Sequence, residues 1–273
     1  MTMQGERTVA GSRVVVEGSG PPVVLIHGVG ADLHMWDEQV PALARRFTVV
    51  RYDTLGHGAT PMPQGEVTLA SYARQLADIA GGLELGRFVA VGFSMGVPIS
   101  QLFAIDHAKG ALAGLVLMNG VYDRTPEQLA AIRGRVAQAR ADGNFALADA
   151  ALDRWLSPAF RAARPDVEAR IRKRLAENDP ASFITAYDIF AEADPWVVGR
   201  LGAIACPTMV TTGEDDQGST PAMTRAMAAA IPGAQSRIMP GLRHMPTAEG
   251  PEVVNRLLLD FLEGLPRNGD TWA

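Results

Sequence analysis

Short apolar runs alternate with longer amphipathic stretches through the first 120 residues, and the alternation then stops. Residues 8–16 alternate apolar and polar positions about Gly11-Ser12, which predicts a short antiparallel hairpin at the edge of a sheet. Four apolar runs follow, at residues 23–26, 47–50, 88–91 and 112–118. Runs this short and this apolar suit strands buried on both faces, and the helical stretches between them imply a mostly parallel sheet. Residues 68–85 carry Leu69, Tyr72, Ala73, Leu76, Ile79, Ala80 and Leu83 at helical spacing and predict one crossover helix; residues 99–108 predict another.

Beyond Asn119-Gly120, about eighty residues show helical periodicity, interrupted by Pro126, Gly143, Pro158, Pro165, Pro180 and Pro195 and by no strand-like run. Between residues 121 and 200 eleven Arg and one Lys face twelve Asp and Glu, so this stretch is neutral and the remainder carries the chain's whole net charge of -5. Strand-like runs resume at residues 207–210 and 236–239, with helices expected over 221–231 and 251–262. The expected organisation is therefore a core built from residues 1–120 and 201–273, with 121–200 inserted as a helical cap.

Composition narrows the class of partner. A chain of 273 residues with 47% hydrophobic positions supports a large core, and its negative charge argues against a nucleic-acid partner, which needs a cationic surface. A single cysteine excludes an internal disulfide and a thiolate zinc site, so the reducing cytoplasm is the expected location. The first thirteen residues contain no signal-peptide core, and no segment approaches the roughly 20 apolar residues of a membrane span, so no membrane partner is expected.

The strongest chemical motif is Gly92-Phe93-Ser94-Met95-Gly96, set between the run at 88–91 and the helical stretch from Ile99. A serine on a sharp strand-to-helix turn needs small residues two positions either side, and the helix start directs free N–H groups at its oxygen. Such a serine becomes nucleophilic only when a base takes its proton. Of five histidines, His107 ends a helix, His34 lies in a helical approach to Trp36, and His27 and His57 sit in turns where loop shaping is expected. His244 lies after the last strand-like run, at the strand end where such sheets keep their chemistry, and is the expected base. The turn Gly213-Glu214-Asp215-Asp216 offers the acceptor for its other ring nitrogen, with Asp216 the first choice, Asp215 the second, and Asp123 a third candidate. An oxyanion needs two preorganised donors, expected from the amides of Met95 and of Val29 in the loop His27-Gly28-Val29-Gly30.

Over about residues 20–264 the sequence resembles the α/β-hydrolase superfamily. The resemblance rests on His27-Gly28 with Trp36, the stretch from Asp53 to Gly58, the Ser94 pentapeptide, the acid turn, and His244 with Glu249, Pro251 and Phe261-Leu262. The order Ser94, Asp216, His244 is also the one used there. It implies an eight-stranded α/β sheet, a helical cap after the sixth strand, and no cofactor. The cap resembles the 3-oxoadipate enol-lactonase group and its esterase relatives at Thr125-Pro126-Glu127, Arg135-Val136-Ala137, the stretch from Arg154 to Arg161, and Asn178-Asp179-Pro180. Gly96-Val97-Pro98 and Val121-Tyr122-Asp123 depart from that group.

The expected function is hydrolysis of a carboxylic ester or lactone on a small molecule, through Ser94, His244 and Asp216. Arg133 or Arg135 could hold a substrate carboxylate in a fork, and Trp155 could line the pocket. The same residues also suit cleavage of a carbon–carbon bond beside a ketone. A third reading, of another class, is a ligand-binding protein that keeps the fold without turnover.

Overall fold

The expected hairpin pairs β1 (Gly5–Val9) with β2 (Ser12–Glu17), turning at Ala10 and Gly11, which both take positive φ. The computed structural model describes residues 4–269 and 271–273. The apolar runs become β3 (Pro22–Ile26), β4 (Thr48–Tyr52), β5 (Phe88–Phe93) and β6 (Leu112–Met118), followed much later by β7 (Thr208–Gly213) and β8 (Gln235–Met239). All eight form one sheet in the order β1-β2-β4-β3-β5-β6-β7-β8. Strand β2 is antiparallel to both β1 and β4, and the other neighbours are parallel.

Alternate side chains along each strand point to opposite faces, which explains the unbroken apolar runs. Val24 and Ile26 of β3 pack into one core layer with Ala90, Leu115 and Leu117, while Val23 and Leu25 pack into the other with Val89, Val91 and Val116. Helix α1 (Val40–Leu43) lies between β3 and β4, α2 (Leu69–Gly82) between β4 and β5, and α3 (Gly96–Asp106) between β5 and β6. Because β3 sits between β4 and β5, successive crossovers leave it in opposite directions, and a crevice opens at the carboxyl ends of β3 and β5.

Among its described residues the stretch between β6 and β7 contains helices and no strand: α4 (Pro126–Asp142), α5 (Ala148–Trp155), α6 (Pro158–Ala163), α7 (Pro165–Ala176), α8 (Pro180–Ala191) and α9 (Asp194–Val197). Several prolines that interrupt the periodicity are helix starts. Thr125, Ser157 and Asp179 cap α4, α6 and α8 by accepting the amides of Gln128, Phe160 and Ser182, each with proline at the first helical position. The chain returns through α10 (Pro221–Ala229), α11 (Pro246–Glu249) and α12 (Pro251–Glu263).

A short hairpin of β9 (Arg267–Asn268) and β10 (Thr271–Trp272) follows, beyond the last element expected from the sequence. Its anchor is Trp272, whose indole donates to the Pro22 carbonyl at 2.8 Å and stacks on Phe47 with ring centroids 5.7 Å apart. Among the described residues no helix is long and apolar enough to cross a membrane.

Candidate active site

Ser94 directly follows β5 and takes φ +52°, a left-handed conformation that costs energy for any residue but glycine. Its flanking glycines are sterically required. A Cβ on Gly92 would stand 2.2 Å from the Gly96 carbonyl oxygen, and one on Gly96 would stand 2.5 Å from that of Ile26. The turn is tied down by the Ser94 amide donating to Met118 and the Val97 amide donating to Ser94. Helix α3 starts immediately after, so its positive end lies beside the serine.

Asp216 follows β7 and is buried, whereas Glu214, Asp215 and Asp123 are exposed, so geometry separates the three candidate acids. Its Oδ2 accepts from His244 Nδ1 at 2.8 Å and from Asn119 Nδ2 at 2.8 Å, with Thr212 Oγ1 at 3.2 Å; its Oδ1 accepts the amides of Gly218 and Ser219 at 2.9 Å each. Burial raises the pKa of this carboxyl, but the His244 ring and these donors outweigh it and hold the group below its ordinary value. His244 itself is held between the rings of Phe93 and Trp155, at centroid distances of 5.3 and 5.9 Å. Ser94 and His244 face the same cavities without a direct hydrogen bond, and the Ser94 hydroxyl has no partner among the described residues.

The loop after β3 is shaped by two buried histidines. His27 Nε2 accepts the Thr54 amide at 2.9 Å, and His57 Nε2 accepts the Gly30 amide at 3.0 Å. Burial pushes both below the usual histidine range, His57 to about 3, so both are neutral acceptors under the loop. Neither the Val29 nor the Met95 amide has an acceptor among the described residues, which leaves both donors free at the sheet edge. The remaining histidines lie elsewhere: His34 is exposed beside Asp37, and His107 is the C-cap of α3.

Two cavities, of about 360 and 250 Å³, share Val29, Ser94, Trp155 and His244 in their walls. The larger runs between the loop after β3 and α7; the smaller runs between the acid turn, α4 and the end of α5. Trp155 lines both cavities. Arg135 lines the smaller cavity, its Nε donating to Tyr187 Oη at 3.1 Å. Arg133 does not fit the role expected of it: it is exposed, forked onto Glu192 at 2.7 and 2.9 Å, and lines neither cavity. On α4 the buried stripe runs through Ile132, Val136 and Ala139, and only Arg135 lies along it.

Residues 23–257 match the alpha/beta hydrolase family. The chain belongs to that family. It is 29% identical over 254 residues to (E)-2-((N-methylformamido)methylene)succinate hydrolase of Acinetobacter baylyi, covering 92% of this chain and 93% of that one. It is 26% identical over 200 residues to 3-oxoadipate enol-lactonase 2 of the same organism, covering 73% of each. Among solved structures it resembles the enol-lactonase from Burkholderia xenovorans LB400, with a TM-score of 0.85 and 30% identity over 94% of this chain and 99% of that one.

The candidate site also contains residues to which the sequence assigns no role. Asn119, at φ +51° after β6, reaches both Thr212 and Asp216 and so braces the acid turn. Glu249, legible only as a family landmark, accepts the amides of Ser157 at 3.0 Å and Arg243 at 3.1 Å, joining the insertion to the His244 loop. Asn178, next to the cap Asp179, reaches back to the loop after β3 and donates to the Gly30 carbonyl.

Proposed function

We propose that this member of the alpha/beta hydrolase family is a serine hydrolase acting on a carboxylic ester or lactone of a small molecule. One observation carries the reading: the Asp216–His244 pair lines the same cavity, the smaller of the two, into which the strained turn presents Ser94. In this mechanism Ser94 Oγ attacks the carbonyl carbon while His244 Nε2 takes its proton. Asp216 fixes the ring with Nδ1–H toward itself and stabilises the imidazolium. The Val29 and Met95 amides receive the oxyanion as the carbonyl becomes tetrahedral. Collapse expels the alcohol, protonated by His244, and water activated by the same ring releases the acid from the acyl-enzyme. Residues 121–200 act as the cap over a core formed by 1–120 and 201–273.

The test is reaction of the protein with a fluorophosphonate and turnover of 4-nitrophenyl butyrate. Both should be lost in Ser94→Ala with the thermal unfolding midpoint preserved; turnover that survives the substitution rejects the assignment. A second reading keeps the same residues but assigns them another bond, since the relative named for a methylformamido-methylene-succinate acts on a compound whose name contains an amide and carboxylates and no ester. Cleavage of a carbon–carbon bond beside a ketone would use the same residues. A panel pairing diketones with esters of matched skeleton separates the two by the ratio of kcat/KM.

A further inference from the structure

Eight of the eleven arginines between residues 121 and 200 have a carboxylate partner; among the described residues Arg135, Arg154 and Arg170 have none. Arg170 is exposed. Arg135 and Arg154 both line the smaller cavity, the one whose wall also includes Ser94 and His244. Their guanidinium groups are close enough to repel: burial first, and then Arg135, pulls Arg154 below the ordinary arginine value. Arg135 is aimed by Tyr187, while Arg154 immediately precedes the tryptophan packed on His244.

The acid in that wall cannot neutralise them. Asp216 is the carboxylate lining this cavity, and His244, Asn119, Thr212 and two amides already use its oxygens. Arg124, also in the wall, is itself engaged by Asp194 through Nε and Nη2, at 3.1 Å each. Asp153 attracts Arg154 but is itself paired with Arg161. Two half-buried like charges with no carboxylate paired to either among the described residues raise the energy of the free protein, and an anion between them lowers it. A guanidinium presents parallel N–H donors that match the two oxygens of a carboxylate.

The structure assigns Arg135 and Arg154 to a subsite for a carboxylate on the substrate, so we infer that the protein acts on carboxylate-bearing esters or lactones. This rests on the hydrolase reading for the bond cleaved, but the anion subsite itself can be tested without turnover.

Mono(4-nitrophenyl) adipate and methyl 4-nitrophenyl adipate differ by that charge and one methyl group, and release of 4-nitrophenolate reads the same bond in both. The expected result is a higher kcat/KM for the anionic ester, with the anionic-to-neutral ratio falling about 10- to 100-fold in Arg154→Gln and in Arg135→Gln. Arg154→Lys, which keeps the charge and loses the fork, should fall between. Arg133→Gln removes the same charge from the surface and should keep the ratio. Equal kcat/KM for the two esters, or a ratio unchanged in Arg154→Gln, overturns the subsite and leaves the hydrolase reading standing. If neither ester is turned over, the hydrolase reading fails and calorimetry decides the subsite. Monomethyl adipate should then bind the Ser94→Ala protein and lose at least tenfold in affinity when Arg154→Gln is added; no binding, or no loss, overturns it.

Discussion

Asn178 Nδ2 donates to the Gly30 carbonyl at 2.9 Å, while the Gly30 amide donates to His57 Nε2 at 3.0 Å. One glycine is thus gripped by the helical insertion on one side and by the core on the other. Gly30 takes φ +78°, and a Cβ there would stand 2.8 Å from Leu175 Cδ2, so the insertion packs directly on this turn. The proposed donor Val29 immediately precedes it. Its direction therefore depends on both grips.

Asn178→Ala should lower kcat on 4-nitrophenyl butyrate by about tenfold with little change in KM, because a misdirected oxyanion donor costs part of the roughly 3–4 kcal/mol such a donor supplies. Asn178→Asp should do the same, since a carboxylate cannot donate to a carbonyl. A raised KM with kcat intact would instead make Asn178 a pocket-shaping residue.

The buried histidines give stability a defined pH dependence. His57 titrates near 3 in the folded protein against an ordinary value of 6.5, so between those limits the unfolded chain binds the proton more readily. The stabilisation is fully present above about pH 6.5 and is lost as the pH falls toward 3, at up to about 1.4 kcal/mol per pH unit for one histidine. Urea unfolding followed from pH 7 to pH 4 should show this decline, and His57→Gln should flatten it. A slope identical in the variant would assign the decline to other groups.

How much of this was legible in the chain follows from the range of the forces involved. Strands β3, β5 and β6 are buried on both faces and so are written as unbroken apolar runs. Ser94 is legible because the clashes that require Gly92 and Gly96 arise within a few residues and one neighbouring strand. Asp216 could be favoured over Asp215 only by assuming which carboxylate turns inward, and burial supplies that distinction. Arg133 and Arg135 are two positions apart on α4 and must face apart; the buried Ile132 and Val136 mark the inner side. Asn178 reaches Gly30, and Arg154 the wall of the smaller cavity, only when the helices between β6 and β7 dock on the core, and no local pattern encodes that placement. The closing hairpin escaped because each strand has only two residues, too few for a period to appear.

The elbow makes a harsher prediction. In Gly96→Ala the new methyl would meet the backbone oxygen of Ile26 at 2.5 Å, and a backbone atom in a central strand cannot swing aside as a side chain can. The expected outcome is loss of at least about 1–3 kcal/mol of stability together with nearly all turnover. Gly28→Ala is milder: its Cβ would lie 3.0 Å from Ser94 Cβ and 3.1 Å from the Phe93 ring. It should keep the unfolding midpoint within a few degrees while depressing kcat. If Gly96→Ala unfolds at the same urea concentration as the parent protein, the steric account of the turn is wrong.

Glu249 holds the other moving part of the proposed mechanism. Its two oxygens accept from Ser157 and Arg243, the Met245 amide donates to the Trp155 carbonyl at 3.1 Å, and Arg243 Nη1 donates to the Asp153 carbonyl at 2.7 Å. His244 is therefore strapped on both sides to the end of α5. In Glu249→Gln one oxygen can still accept, but the new NH2 faces an amide N–H and leaves one donor unsatisfied. That should cost about 1–3 kcal/mol, read as a lower urea midpoint at unchanged m-value. Because His244 loses its fixed approach to Ser94, kcat on 4-nitrophenyl butyrate should fall about tenfold or more while the Asp216–His244 bond persists. The two effects are expected together, since the same carboxylate supports both the fold and the ring's position. A variant with full kcat and a lowered midpoint would show that the strap stabilises the protein without directing the histidine.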